Sequence, residues 1–361
     1  MGGQPLQGRM NEAVLSGIGP APADPEGLDD ALSTPDEHLI AELAAVDGDL
    51  VVLGAGGKMG PTLSRMARRA TDAAGSARRV VAVSRFGGDD DGSRRALERA
   101  GVETLALDLL GPDALDLLPE APNVVFMLGR KFGTTGAEPA TWAVNTLLPG
   151  LVARRYAGMR LVVFSTGNVY PPTSVRGGAP DERHPVGPVG EYAQSCLGRE
   201  RLFADAAERL GSRVLLFRLN YAVEPRYGIL TDVALAVHRG SPVDLTTGTV
   251  NVIWQRDACS YALRALGHCD APAAVLNASG PETVSVRWLA EQFGQRFGRE
   301  PVLVGEEGEA ALLITAARAH ALFGYPRMPL LRAIDWTVAW ISAGGPVLAK
   351  PTRFQELQGR F

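Results

Sequence analysis

"DLVVLGAGGKMGPTL", residues 49–63, is the stretch whose reading decides the fold. A short continuous apolar run, Leu50–Leu53, leads straight into a glycine-rich turn and the start of a helix. Gly54, Gly57 and Gly60 fit a GxxGxxG spacing. They do not fit GxGxxG, because Met59 stands where that pattern needs its third glycine. The physical demand is the same in either case: a turn without side chains lets backbone N–H groups and a helix N-terminus approach a pyrophosphate. A phosphate-binding P-loop does not fit, since Lys58 is followed by Met59 instead of Ser or Thr, and Val52 occupies the first-glycine position. The turn therefore predicts dinucleotide binding.

Working outward, short apolar runs alternate with helical patterns. Strands are expected at Leu50–Leu53, Val80–Val83, Glu103–Leu107, Val124–Leu128, Leu161–Ser165, Val214–Arg218 and Ala274–Asn277. Helices are expected near Pro61–Ala74, Arg94–Ala100, Trp142–Tyr156 and Tyr192–Leu210. Continuous apolar strands separated by helices indicate an α/β fold, a doubly wound parallel sheet of Rossmann type covered on both faces. At the end of the second strand Ser84 and Arg85 stand where a carboxylate would bond an adenosine ribose. A guanidinium favours a 2′-phosphate, so NADP is expected over NAD, with Asp89, Asp90 or Asp91 as the ribose-binding alternative. Asp108, after the third strand, is placed to accept from the adenine amino group or to cap the following turn.

The N-terminal 30 residues, rich in Gly, Pro, Ala and Asp, read as a flexible leader without the apolar core of a signal peptide. Order is expected from "STPDEHLIAELAAV", with Thr34 as N-cap, Pro35 at the first helical position and Glu37 completing a capping box. The nucleotide-binding domain is expected over residues 31–222 and about 250–278. A smaller C-terminal substrate lobe takes 223–249 and 279–361, where turn signals such as Glu224-Pro225 and Gly280-Pro281 loosen the pattern. A formal net charge of −4 argues against nucleic acid and anionic membrane as partners. Three cysteines (Cys196, Cys259, Cys269) are too few and too irregular for a disulfide framework or a zinc site; no metal is expected, and a reducing cytoplasm is.

With these pieces in place the chain resembles, over roughly residues 50–340, the extended short-chain dehydrogenase/reductase family, whose members include NAD-dependent sugar epimerases and dehydratases. "GAGGKMG" is similar to that family's glycine turn, and "VVFMLGRKFG…TWAVNTLLPG" to its fourth strand, ligand loop and asparagine-bearing helix. "LVVFSTGNVYPP" is similar to the strand with its Ser/Thr site, "GEYAQSCLGRE" to its tyrosine helix, and "VNVIWQRDACSYAL" to a segment closing the substrate site. The resemblance implies hydride transfer, with Thr166 bonding the substrate oxygen and Tyr192 as general acid or base. Lys131 matches a lysine that some sugar epimerases place near the cofactor phosphates. It implies a cofactor cradle of Gly54, Gly57, Lys58, Met59, Gly60, Ser84, Arg85, Asp108, Leu109, Leu128, Gly129, Lys131, Asn145 and Tyr192. By the same analogy the helices Trp142–Tyr156 and Tyr192–Leu210 form the seam of a homodimer.

One position departs from the pattern. The family carries a lysine four residues after its tyrosine, and here that position is Cys196. An unperturbed phenol, with a pKa near ~10, is ionised in only about one molecule in a thousand at pH 7, and the lysine's charge favours the ionised form. Several readings stand open. Another cation substitutes, Lys131 first and Lys58 second; the oxidised nicotinamide supplies the charge; or redox chemistry is lost and the chain is a dinucleotide-binding sensor or scaffold, or a non-redox lyase. Arg199 is set aside as lying about two turns further along the helix, and Cys196 as a nucleophile is disfavoured because no His neighbours it. Thr166 and Tyr192 together favour an enzyme, since a pure binding module has no need of the pair.

Arginines that clamp a nucleotide diphosphate in the family look absent, with Val250-Asn251 and Leu312-Leu313-Ile314-Thr315 at the matching segments. Arg176 and Arg226 are alternative anion contacts, and Trp142 and Trp254 are candidates to line a sugar pocket. The expected substrate is a small molecule: a free sugar, sugar acid or other polyhydroxylated metabolite instead of a nucleotide-diphosphate sugar.

Overall fold

The apolar runs become the seven strands of one parallel sheet in the computed structural model, which describes residues 18–87, 91–348, 350 and 352–361. They are β1 Leu50–Leu53, β2 Val80–Ser84, β3 Glu103–Ala106, β4 Asn123–Phe126, β5 Arg160–Thr166, β6 Arg213–Leu219 and β7 Ala274–Ala278. Their spatial order is β3-β2-β1-β4-β5-β6-β7, every neighbouring pair parallel. The pleat explains why β1 is apolar at each position. Leu50 and Val52 enter the core on one face, with helices Glu37–Ala44, Gly60–Ala73 and Gln255–Arg264, while Val51 and Leu53 enter the other, with Leu148–Arg155 and Gly190–Arg209. After β3 the chain crosses back to β4 beside β1, so the carboxyl ends of β1 and β4 flank the switch-point crevice where such sheets take ligands.

Three local expectations are corrected. The leader does not run to residue 30: Pro25–Ser33 is a helix, capped by Asp24 Oδ1 accepting from Gly27 N at 2.7 Å. Its Leu28 and Leu32 are buried in the C-terminal core, and that burial orders a segment whose composition alone suggested none. The next helix, Glu37–Ala44, is capped by Asp36 instead of Thr34; Asp36 Oδ1 accepts from Leu39 N at 2.9 Å, while Thr34 Oγ1 donates back to Asp30 O at 2.7 Å. Finally, the expected helix Trp142–Tyr156 begins at Glu138 and is interrupted by a π-helical turn, Ala143–Leu147. Pro149 has no N–H to give the Asn145 carbonyl, so the α-helical ladder fails there.

Beyond the sheet, helices Ile229–Arg239, Val286–Phe297 and Leu330–Ser342 share a second core, in which the Trp254 and Trp336 rings meet edge-on at 5.6 Å. Among the described residues, no helix is long and apolar enough to cross a membrane.

The glycine turn is tight enough to test. A Cβ on Gly60 would lie 2.3 Å from Ala55 O and 2.5 Å from Ala55 Cα, both backbone atoms of the preceding turn. Gly60→Ala is expected to destabilise the protein by about 1–3 kcal/mol, the usual cost of overpacking. A urea midpoint equal to that of the unaltered protein would contradict this packing.

Candidate active site

At the carboxyl end of β1, Gly54 N and Ala55 N both donate to Val83 O, at 2.9 and 3.1 Å, which folds the turn back over β2. Gly54 has φ +89°, and a Cβ there would lie 2.9 Å from Leu128 N, so only glycine lets the turn meet the loop after β4. Gly57 is exposed, and no side chain caps the helix that starts at Gly60. An uncovered turn backed by an uncapped helix N-terminus fits a pyrophosphate.

The other expected cradle residues divide. Ser84 is half-buried and Arg85 exposed at the end of β2, while Asp89, Asp90 and the side chain of Asp91 lie outside the described residues. Asp108 is exposed and its Oδ1 accepts from Leu110 N at 3.1 Å, which is the turn-capping alternative. Leu109 is buried; Met59 and Leu128 pack onto opposite faces of the sheet, and Gly129 is exposed. Lys58 turns away from the glycine turn. Its Nζ donates to Ala222 O at 2.7 Å and lies 4.1 Å from the centroid of the Tyr227 ring, and burial lowers its pKa to about 8.

The chemical end is built by β5 and the helix Gly190–Arg209. Thr166 closes β5; its Oγ1 donates to Asn168 Oδ1 at 2.9 Å, and Asn168 N donates to it at 3.2 Å. Thr166 and Tyr192 line one cavity of about 200 Å³ together with Lys58, Lys131, Asn168 and Asn220. Thr166 and Cys196 both act on the ionisation of the Tyr192 hydroxyl. Burial, followed by Cys196, pushes the phenol pKa above its ordinary value, while Arg199 and Thr166 pull it down. Burial also raises the Cys196 thiol, which is fully enclosed and so not a nucleophile. Lys131 reaches the cavity, its Nζ 5.8 Å from the Tyr192 ring centroid and 4.5 Å from that of Phe361, with burial bringing its pKa to about 8.

Two supports were not read from the sequence. Phe361 packs against Tyr192, its ring edge-on at 5.5 Å and its backbone oxygen accepting from Thr134 N and Thr135 N at 3.0 and 3.2 Å. Nothing in the sequence ties a residue so far along the chain to this loop. Beneath Thr166, Glu200 and Arg218 form a buried bidentate pair at 2.7 and 2.9 Å. Their spacing shows it only once the helix and β6 are known to be neighbours.

Asn145 is wholly buried and ties three elements together. Its Oδ1 accepts from Arg130 N at 2.8 Å and from Arg199 Nη2 at 3.1 Å, and its Nδ2 donates to Ser195 Oγ at 3.0 Å.

The two segments expected to lack clamping arginines are pinned to each other: Asn251 Nδ2 donates to Ile314 O at 2.5 Å and its Oδ1 accepts from Asn220 at 2.7 Å. A second cavity of about 600 Å³ opens beside them, lined by Asn251, Thr315, Pro281, His320 and Tyr325 among others, with no Lys or Arg. Arg226 does not supply an anion site, because it is paired with Glu224 and, at 2.8 Å, with Asp29. Arg176 is exposed. Neither tryptophan lines the sugar-sized cavity: Trp142 donates to Glu191 on the molecular surface, and Trp254 is buried in the C-terminal core.

A family model described as the NAD dependent epimerase/dehydratase family matches residues 50–278. No curated protein matches the sequence. Among solved structures, MoeE5 in complex with UDP-glucose and NAD superposes with a TM-score of 0.66 at 21% identity, covering 82% of this chain and 99% of that one. UDP-glucuronic acid 4-epimerase from Bacillus cereus, in complex with UDP-glucuronic acid and NAD, gives 0.68 at 18% identity over 81% and 99%. dTDP-glucose 4,6-dehydratase from Bacillus anthracis, in complex with NAD, gives 0.67 at 14% identity over 82% and 97%.

Proposed function

The chain belongs to the NAD dependent epimerase/dehydratase family, and from that premise we propose that it is an NAD-dependent enzyme moving a hydride and a proton at a carbinol or ketone of a sugar substrate. The observation that carries this reading is that Thr166, at the head of β5, and Tyr192 line one cavity of about 200 Å³. That is room for a single sugar ring.

NAD bound along Gly54–Gly60 would supply the hydride acceptor. The chain's residues do the rest. Thr166 aligns the substrate oxygen, Tyr192 takes its proton on oxidation and returns one on reduction, and Lys131 places a positive charge on the cavity wall. Phe361 and the loop around Thr134 screen the site from water. The competing reading, a dinucleotide sensor, is favoured by Cys196 alone.

Support for the cofactor now lies with NAD, which each of the three solved relatives holds. Arg85 is exposed, and among the described residues nothing fixes it where a 2′-phosphate would lie, so the NADP preference is set aside. Those relatives are also named for UDP- or dTDP-linked sugars, which weighs against the expectation of a substrate without a nucleotide. The cation-free lining of the larger cavity weighs the other way. A homodimer through Leu148–Arg155 and Gly190–Arg209 is supported by the exposure of Leu147 (56%), Leu151 (37%) and Leu210 (37%) along that face.

Calorimetric titration with NAD, NADH, NADP and NADPH comes first, with NAD and NADH expected to bind at least about tenfold tighter, equivalent to roughly 1.4 kcal/mol. Turnover is then sought with UDP-glucose, UDP-glucuronic acid, dTDP-glucose and the corresponding free sugars. Failure to bind any dinucleotide would sink the proposal; binding without turnover across the panel would favour the sensor.

A further inference from the structure

We propose that Arg199 supplies, from beneath, the fixed positive charge that the tyrosine helix lost at Cys196. The inference rests on the reading of Tyr192 as the proton-transfer group.

Arg199 follows Tyr192 by seven residues. At about 100° per residue, two turns return it to within roughly 20° of the same direction. Helical side chains lean toward the N-terminus, so the long arginine runs back under Cys196 toward the phenol. Setting Arg199 aside on axial distance overlooked both effects.

The guanidinium is buried, with 4% of the residue exposed, and every one of its partners is neutral. Nη1 donates to Phe164 O at 2.8 Å, two residues before Thr166; Nη2 donates to Asn145 Oδ1 at 3.1 Å, and Nε to Asn145 O at 3.3 Å. The last acceptor is the carbonyl that Pro149 cannot serve, so the π-helical turn and the arginine fit as one device. Above the guanidinium lies the ligand loop: a Cβ on Gly129 would sit 3.1 Å from Nη2, which makes glycine the residue that lets the charge reach that loop.

The groups facing Tyr192 are Cys196 and Arg199 from its own helix, Thr166 from β5, Lys131 from the loop after β4, and the Phe361 ring, and the same cavity is lined by Lys58, Tyr221 and Tyr227. Burial brings Lys58 and Lys131 to about 8, so of the three cations Arg199 is the one that stays charged at high pH, and it favours the ionised phenol. With no carboxylate bonded to it, its charge is not cancelled locally, unlike that of Arg218, which is paired with Glu200. Arg199 keeps its proton throughout while the phenol loses and regains one. It is a positioning residue, acting on Tyr192 through the field and on the loop through Asn145.

The test uses NAD as probe and measures its affinity from about pH 7 to 11.5, since burial holds the phenol above its ordinary value while Lys58 and Lys131 titrate at about 8 in the same cavity. Oxidised nicotinamide is positive, so affinity should rise again above about pH 9.5 as Tyr192 ionises, and Tyr192→Phe should remove that upper rise and leave the lysine step. Arg199→Gln, which keeps hydrogen-bonding capacity without charge, should move the midpoint up by about one pH unit or more, a tenfold loss of ionised phenol at a given pH. Arg199→Lys should restore most of that shift. A purely structural role predicts weaker binding at every pH with the midpoint unmoved, and that result overturns the inference, as does a flat profile in the unaltered protein. If Arg199→Gln does not fold, Arg199→Lys decides: its midpoint must stay within about half a unit of the unaltered one. No NAD binding at any pH removes the functional reading and this inference together, whereas binding with an unmoved midpoint removes the inference alone.

Discussion

Tyr192→Phe is expected to leave a folded protein that binds NAD within a few-fold of the original and turns substrate over about 10²–10⁴ times more slowly. The substitution removes one oxygen. Thr166 keeps its hydrogen bonds with Asn168, and the neighbouring Cys196 thiol is a weak partner, so little stability is lost. The ring's contact with Phe361 is unchanged, because it is the aromatic edge and face that meet there. The substrate hydroxyl, however, loses the group proposed to receive its proton, and Thr166 is not basic enough to replace it. Steady-state kinetics with the substrate found in the panel, set beside an NAD titration, measures both quantities. Equal kcat in the variant would remove Tyr192 from the chemistry and leave the proton transfer to another group. A loss confined to NAD affinity would make Tyr192 a binding residue only.

Much of this site was legible because its signals are local. The apolar run Leu50–Leu53 and the glycines at 54, 57 and 60 specify a strand and a turn by themselves, since backbone space is a property of consecutive residues. Thr166 and Tyr192 were readable as the end of a strand and the first turn of a helix. What stayed hidden depends on neighbours distant in the chain. The leader's helix exists because Leu28 and Leu32 find a core made by residues beyond 220. Phe361 makes a contact across more than two hundred residues with Thr134. The place of Arg199 was hidden for a different reason: its spacing from Tyr192 was read as distance along an axis, while its guanidinium is held by Phe164 O and by Asn145, on elements far away in the chain. Lys131 reaches the cavity, yet its ammonium lies over the rings of Phe361 and Tyr192, which a sequence pattern does not distinguish from a charge aimed at the hydroxyl.

The largest stability effect should come from Glu200, one residue beyond Arg199 and on the opposite side of the argument. Its carboxylate meets Arg218 Nη2 at 2.7 Å and Nε at 2.9 Å, and accepts from Ser165 Oγ at 2.5 Å. Arg218 Nη1 donates on to Tyr170 OH at 2.7 Å, and that hydroxyl donates to Asn277 Oδ1 at 2.9 Å. Side-chain exposure is 7% for Arg218 and 3% for Glu200, so neither charge has water to fall back on. Making such a pair yields little net stability, because desolvation offsets the attraction; breaking it leaves one buried charge uncompensated and costs about 3–5 kcal/mol. Glu200→Gln should therefore lose a large part of the roughly 5–15 kcal/mol that holds a typical domain, visible as a lower urea midpoint with an unchanged slope. Glu200→Leu combined with Arg218→Met should recover most of the loss, since no charge is then stranded. The network also holds Ser165, the neighbour of Thr166 at the end of β5, so any folded Glu200→Gln protein should lose turnover while NAD affinity, set at β1 and β2, changes far less. A midpoint shift under about 1 kcal/mol would mean that water reaches Arg218, contrary to its burial.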